Sequence, residues 1–130
     1  MLPVHIAPPV LLACGFLTGI VMDSFMDTPG MHTLATTFIA YLRIFFLRAT
    51  LSKEQSDIIK QPDIASIGIT GFLFYAGTFT FIHHTILFFA QAFTFHEFWA
   101  CMQRIIFSSA TTLLLIVLVH FLFFRVRTKE

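Results

Sequence analysis

His83 and His84 are the side chains that most invite a metal or proton-transfer reading. Neighbouring positions on a helix point about 100° apart, which splits them between two directions. His5, His32, His96 and His120 have no histidine four residues away and no cysteine beside them. Zinc needs three or four convergent ligands, so no metal site is expected. The pair His96-Glu97 could move a proton, or it could simply face lipid headgroups. No Gly-x-Ser-x-Gly elbow and no phosphate loop occurs. The sequence therefore predicts neither catalytic residues nor a cofactor, and the chain is expected not to be an enzyme.

Two charged residues sit in strongly apolar surroundings, Asp23 and Arg104. Intramembrane charges avoid lipid and take partners or headgroups. Gly15, Gly19 and Asp23 recur at i, i+4 and i+8, which on a helix is one stripe. Gly15 to Gly19 is also a GxxxG pattern, which lets a second helix backbone approach closely. Asp23 either continues that face toward a basic partner or marks the interfacial end of the helix. Arg104 is predicted at the same level as Asp23, Asp27 and Glu97. The expected pair is Asp23–Arg104, with snorkelling of Arg104 to headgroups as the alternative. Cys14 and Cys101 read as small packing residues.

A second stripe lies further along. Thr70, Gly77, His84 and Gln91 fall at seven-residue spacing, each with a small or polar residue one position on. Small and hydroxyl-bearing residues pack helices closely, so this stripe is predicted to face the bundle interior. A polar cavity there is the other reading.

The elements that must carry these residues follow from composition. The chain of 130 residues is 57% hydrophobic and 12% charged, against about 25% charged in soluble domains, and contains 18 phenylalanines. A globule this small could not hide so many rings from water. The net charge of +1 excludes a broad basic face for nucleic acid. The chain has no asparagine and hence no glycosylation sequon, and its start does not read as a signal peptide. Four long apolar runs predict an all-α multi-pass transmembrane bundle, one integral membrane domain over 1–130. The spans are placed at about 8–22, 31–47, 68–93 and 101–124, with a loop at about 48–67. Only helices and closed barrels satisfy their backbone in hydrocarbon, and runs this long are not barrel strands. Seven of the eight Lys and Arg residues fall in the second loop, its flanks and the tail. By the positive-inside rule both termini and that loop are expected in the cytoplasm.

The stretch Gly15-Phe16-Leu17-Thr18-Gly19-Ile20-Val21-Met22-Asp23, followed by Asp27-Thr28-Pro29-Gly30-Met31-His32, resembles the bacterial rod shape-determining protein MreD family. That family carries Gly-Phe-Leu-x-Gly-x-x-x-Asp, a turn with Pro and Gly, then a helix rich in Ala and Thr, here Thr33 to Arg43. The His83-His84 and Arg104 to Ser109 segments also look like shorter members. The resemblance implies a non-enzymatic scaffold subunit of the cell-elongation complex in the bacterial inner membrane. It would dock a MreC-type bitopic protein, and through it MreB-type filaments and peptidoglycan synthases. It marks Gly15, Gly19, Asp23, Pro29, Gly30 and His32 as a helix-packing or partner surface. Members have about six helices in a fold similar to the substrate-binding subunits of energy-coupling-factor transporters. Four spans would then lack an N-terminal pair, in keeping with the absence of Lys or Arg before Arg43. A vitamin-type transporter subunit is the competing expectation, with His84, Gln91, His96 and Glu97 as its candidate lining.

Overall fold

A computed structural model describes residues 3–51, 59, 62, 64–92 and 98–123. Its helices are α1 (Pro8–Met26), α2 (Met31–Thr50), α3 (Ile64–Ala92) and α4 (Phe98–Phe123). The helix starts and stops follow from local chemistry. Pro8 and Pro9 open α1, where missing N–H groups cost nothing. The helix runs through Met26, beyond the span predicted to end near Met22, and stops at Asp27 in a left-handed conformation (φ 52°, ψ 42°). Aspartate tolerates that region better than most residues. Gly30, at φ 80°, then turns the chain into α2. Within α3 the helix is interrupted at Gly68, whose φ of 72° and ψ of 167° suit glycine almost alone. The run predicted to start at Gly68 is therefore the part of α3 beyond this break.

Consecutive helices pack antiparallel. Gly15 of α1 lies against Ala40 of α2. Arg43 of α2 meets Tyr75 of α3, and the Phe72 ring of α3 packs against that of His120 of α4, tilted by 48° with ring centroids 4.9 Å apart. Contact is most extensive between α1 and α2, then between α3 and α4, and leanest between α2 and α3. Two hairpins thus lie side by side. Their core is formed by Leu11, Ala35, Ala40, Leu47, Phe72, Tyr75, Ala76, Leu87, Cys101 and Ile105. Large apolar side chains such as Phe16, Leu17, Phe107, Leu114 and Leu122 stay on the outside. That inversion is unremarkable where the surroundings are lipid rather than water.

Three of the four helices, α1, α3 from Ser66 and α4, are long and apolar enough to cross a membrane. The fourth expected span, α2, has 20 residues but falls short in apolarity, because His32, Arg43 and Arg48 lie within it. Two of these, His32 and Arg43, are met inside the bundle, while Arg48 is exposed in the last turn. Arg43 is buried, and its Nε donates to the Tyr75 hydroxyl at 2.7 Å while Nη2 donates to the Pro3 carbonyl at 3.2 Å. Tyr75→Phe is expected to destabilise the bundle by about 1.5–3 kcal/mol, the range for a hydrogen bond to a charged group. Unfolding in mixed micelles measured by helicity checks this, and an unchanged midpoint would show that the bond contributes nothing.

Candidate functional site

The densest polar arrangement is the corner between α1 and α2. Gly30 stands at the start of α2 and brings no side chain to the exposed helix end. The first N–H groups of a helix have no partner within it. Asp23, from the last turns of α1, supplies the missing acceptor. Its Oδ1 accepts from the His32 N–H at 2.9 Å and from the Thr28 hydroxyl at 2.7 Å. Its Oδ2 accepts from the Thr33 N–H at 3.0 Å and the Thr33 hydroxyl at 2.6 Å. The carboxylate is therefore a cap contributed across the turn, and the positive end of the α2 dipole favours its charge.

The same network assigns the tautomer of His32. The Thr28 hydroxyl has one proton, already given to Asp23, so at 2.8 Å from His32 Nδ1 it must accept. His32 Nδ1 therefore carries a proton, which also turns a donor toward Asp23 Oδ1 at 3.2 Å. The ring is buried.

The glycine stripe leads to this corner. Gly15 and Gly19 face α2 of the same chain. A Cβ on Gly15 would stand 2.9 Å from Ala40 Cβ and 3.0 Å from the Thr36 carbonyl oxygen. A Cβ on Gly19 would collide with Thr33 Cα and Thr36 Oγ1 and lie 2.8 Å from the Thr33 nitrogen. The Thr36 hydroxyl crosses the gap to donate to the Gly15 carbonyl at 2.8 Å. Gly15, Gly19, Asp23 and His32 are thus brought together, with Gly30 as the hinge and Pro29 exposed in the turn. The stripe is filled from within the chain, so it is not an open surface for another protein.

The expected Asp23–Arg104 pair does not form. Both oxygens of Asp23 are taken by Thr28, His32 and Thr33, while Arg104 is exposed on α4. The physical reason is that backbone N–H groups at a helix start compete for a carboxylate as well as a guanidinium does.

The interior stripe on α3 also needs correction. Gly77 is half-buried, with room for a Cβ 3.7 Å from Leu113 of α4, and His84 is half-buried with Nδ1 2.9 Å from the Thr80 carbonyl. Thr70 and Gln91 are exposed. A straight helix drifts by about 20° per seven residues, so positions three heptads apart cannot share one narrow interface. The buried face of α3 instead follows Phe72, Tyr75, Ala76, Thr80 and Leu87.

Between α2, α3 and α4 lies a cavity of about 260 Å³ lined by Thr36, Ile39, Phe79, Thr80, His83, His84 and Thr112. The His83 ring lies 6.5 Å from that of His32 and 5.5 Å from that of His84, centroid to centroid. Among the described residues no three His, Cys, Asp or Glu side chains are grouped to hold a metal ion. His96 and Glu97 fall outside the described residues, as do Lys53, Lys60, Arg125, Arg127 and Lys129.

No protein-family model matches the chain, and neither a curated protein nor a solved structure matches it. Among the described residues, sequence and fold together show a largely apolar bundle of four helices, three of them long and apolar enough to cross a membrane, which is consistent with a multi-pass membrane protein.

Sequence reasoning missed two partners. The cap on α2 was signalled by Gly30, a helix start with no capping side chain of its own. The Arg43–Tyr75 bond was signalled by a tyrosine amid the phenylalanines of α3.

Proposed function

We propose that this chain is a non-enzymatic scaffold subunit of the bacterial rod, or elongation, complex in the inner membrane, with both termini in the cytoplasm. It docks a MreC-type bitopic protein and so links MreB-type filaments to peptidoglycan synthases. The reading is carried by the resemblance at Gly15 to Asp23 and Asp27 to His32, because these residues build the hydrogen-bonded corner where α1 meets α2. A motif that fixes how two helices of the chain meet fits a rigid docking platform. The outer faces remain for other helices. On α4, Phe107, Thr111, Leu114 and Leu118 form one exposed line, with Ala110 beside it. On α1, Phe16, Leu17, Ile20 and Val21 are exposed. Helices associate in lipid through close packing rather than hydrophobic drive, and small residues such as Ala110 and Thr111 permit that.

The carrier alternative has the inter-helix cavity as its support. Its volume is about 260 Å³, near the lower end of the roughly 300–1,000 Å³ that metabolite pockets occupy.

A photo-crosslinking residue at Leu17 or at Leu114, followed by mild-detergent recovery from native membranes, tests it. A crosslink from either face to a MreC-type protein is expected. Recovery of no elongation protein from either position would remove the proposal. Thermal stabilisation by a vitamin-type metabolite would favour the carrier instead.

A further inference from the structure

The hydroxyl groups of the helices fall into two sets. Those of Thr18, Ser24, Thr85 and Thr111 each donate to the carbonyl four residues back on their own helix, at 2.7–2.9 Å. A helical hydroxyl commonly satisfies itself in this way. Thr80 and Thr112 do not, and both line the cavity between α2, α3 and α4. Neither hydroxyl has a hydrogen-bond partner among the described residues, and nor do the ring nitrogens of His83 in the same lining. His84 gives its Nδ1 proton to the Thr80 carbonyl at 2.9 Å, which leaves Nε2 of the neutral ring as an acceptor. Thr80 is buried, with 8% of its surface exposed. The other lining residues are half-buried, so the cavity communicates with the outside of the bundle.

We infer that this cavity binds an uncharged, lipid-soluble molecule whose polar end is a hydroxyl or carbonyl oxygen. A hydroxyl left unpaired away from water is costly, and a folded chain keeps one where another molecule completes it. Hydroxyls donate as well as accept, so Thr80, Thr112 and His84 Nε2 between them satisfy either kind of oxygen. An ionised ligand does not fit. Among the described residues no Asp, Glu, Lys or Arg lines the cavity, and a charge taken out of water requires an opposite one. About 12 Å of helix separates His84 from the end of α3 at Ala92, so the lining stands within the helices and not beside their connecting segments. Ile39 and Phe79 offer apolar wall to the rest of the molecule. The volume of about 260 Å³ suits a small molecule or the polar head of a longer one. The outer surface of the bundle is apolar, so such a ligand arrives from the bilayer. A carrier's metabolite would instead arrive from water. The inference goes beyond the scaffold reading and does not rest on it.

The experiment places the full chain in lipid nanodiscs and labels it with a diazirine derivative of geraniol, an uncharged lipid-soluble alcohol. Labelled peptides are mapped by mass spectrometry, with unlabelled geraniol as competitor. Label should concentrate around Phe79 and Thr112 and be displaced by geraniol. Thr80→Val, which removes the hydroxyl and little else, should raise the half-displacing concentration about fivefold, the ordinary worth of one neutral hydrogen bond. Thr112→Val, on a half-buried residue, should do the same and gives the reading if Thr80→Val fails to fold. Thr111→Val is the control, since that exposed hydroxyl is already satisfied by the Phe107 carbonyl, and it should change nothing. Geranyl phosphate, the charged counterpart, should not displace the label. Label spread evenly over the outer faces at Phe107 and Leu114, or label that geraniol fails to displace, would overturn the site. Displacement by geranyl phosphate as readily as by geraniol would overturn the uncharged ligand, and equal effects of Thr111→Val and Thr112→Val would remove the hydroxyls from it.

Discussion

Gly19→Leu is expected to force α1 and α2 apart and to destabilise the bundle by more than any other single change in the first hairpin. Even the first atom of a side chain at this position collides with the backbone Cα of Thr33, and backbone cannot rotate out of the way. Overpacking a fitted interior costs about 1–3 kcal/mol, and more where the obstacle is backbone. Replacing glycine in a helix returns at most about 1 kcal/mol of backbone entropy, so the collision dominates. Separation would also break the bond from the Thr36 hydroxyl to the Gly15 carbonyl. Gly15→Ala should be milder, because its obstacles are the Ala40 methyl and one carbonyl oxygen. Detergent-titrated unfolding followed by circular dichroism would rank the variants. If Gly15→Ala proved the more damaging, the register of α1 on α2 described above would be wrong.

The second large effect is expected at Asp23. Asp23→Ala leaves the N–H groups of His32 and Thr33 and the hydroxyls of Thr28 and Thr33 without their shared acceptor. A melting temperature lower by roughly 5 °C or more is expected, from the ordinary effect of losing a helix cap in a small domain. Asp23→Asn should recover part of the loss, since one amide oxygen can still accept. Asp23→Lys combined with Arg104→Asp gives a sharp contrast. A charge exchange rescues an ion pair, but it cannot rescue a cap made by backbone donors. Recovery in the double variant would show that Asp23 and Arg104 do pair.

The helices were legible because runs of apolar residues exceed what a strand or a buried core segment needs. The Gly15, Gly19 and Asp23 face was legible too, since spacing alone says which residues share a side of a helix. Spacing does not say what covers that side. The residues that do so, Thr33, Thr36 and Ala40, carry no charge pattern to mark them. A search for the partner of Asp23 among charged side chains could not find it, because its partners are backbone N–H groups and hydroxyls. Arg43 was read as a topology signal at a helix end, yet burial against Tyr75 gives it a structural role as well. The stripe from Thr70 to Gln91 failed at its ends through helical drift, which grows with length and matters little over one heptad.

The polarity of α2 bears on how the chain enters a bilayer at all. Alone, a segment carrying His32, Arg43 and Arg48 partitions less readily from the translocon into lipid, since an arginine costs about 2.5–3.5 kcal/mol at the centre of a helix and less toward its ends, where Arg48 lies. Joined to α1, it arrives with its first N–H groups already accepted by Asp23 and a glycine groove already waiting. The turn at Asp27 to Gly30 is short enough that both helices can be released together. Insertion of α1 and α2 together as one hairpin is therefore expected, with α1 supplying the polar and close-packed partner that α2 lacks alone.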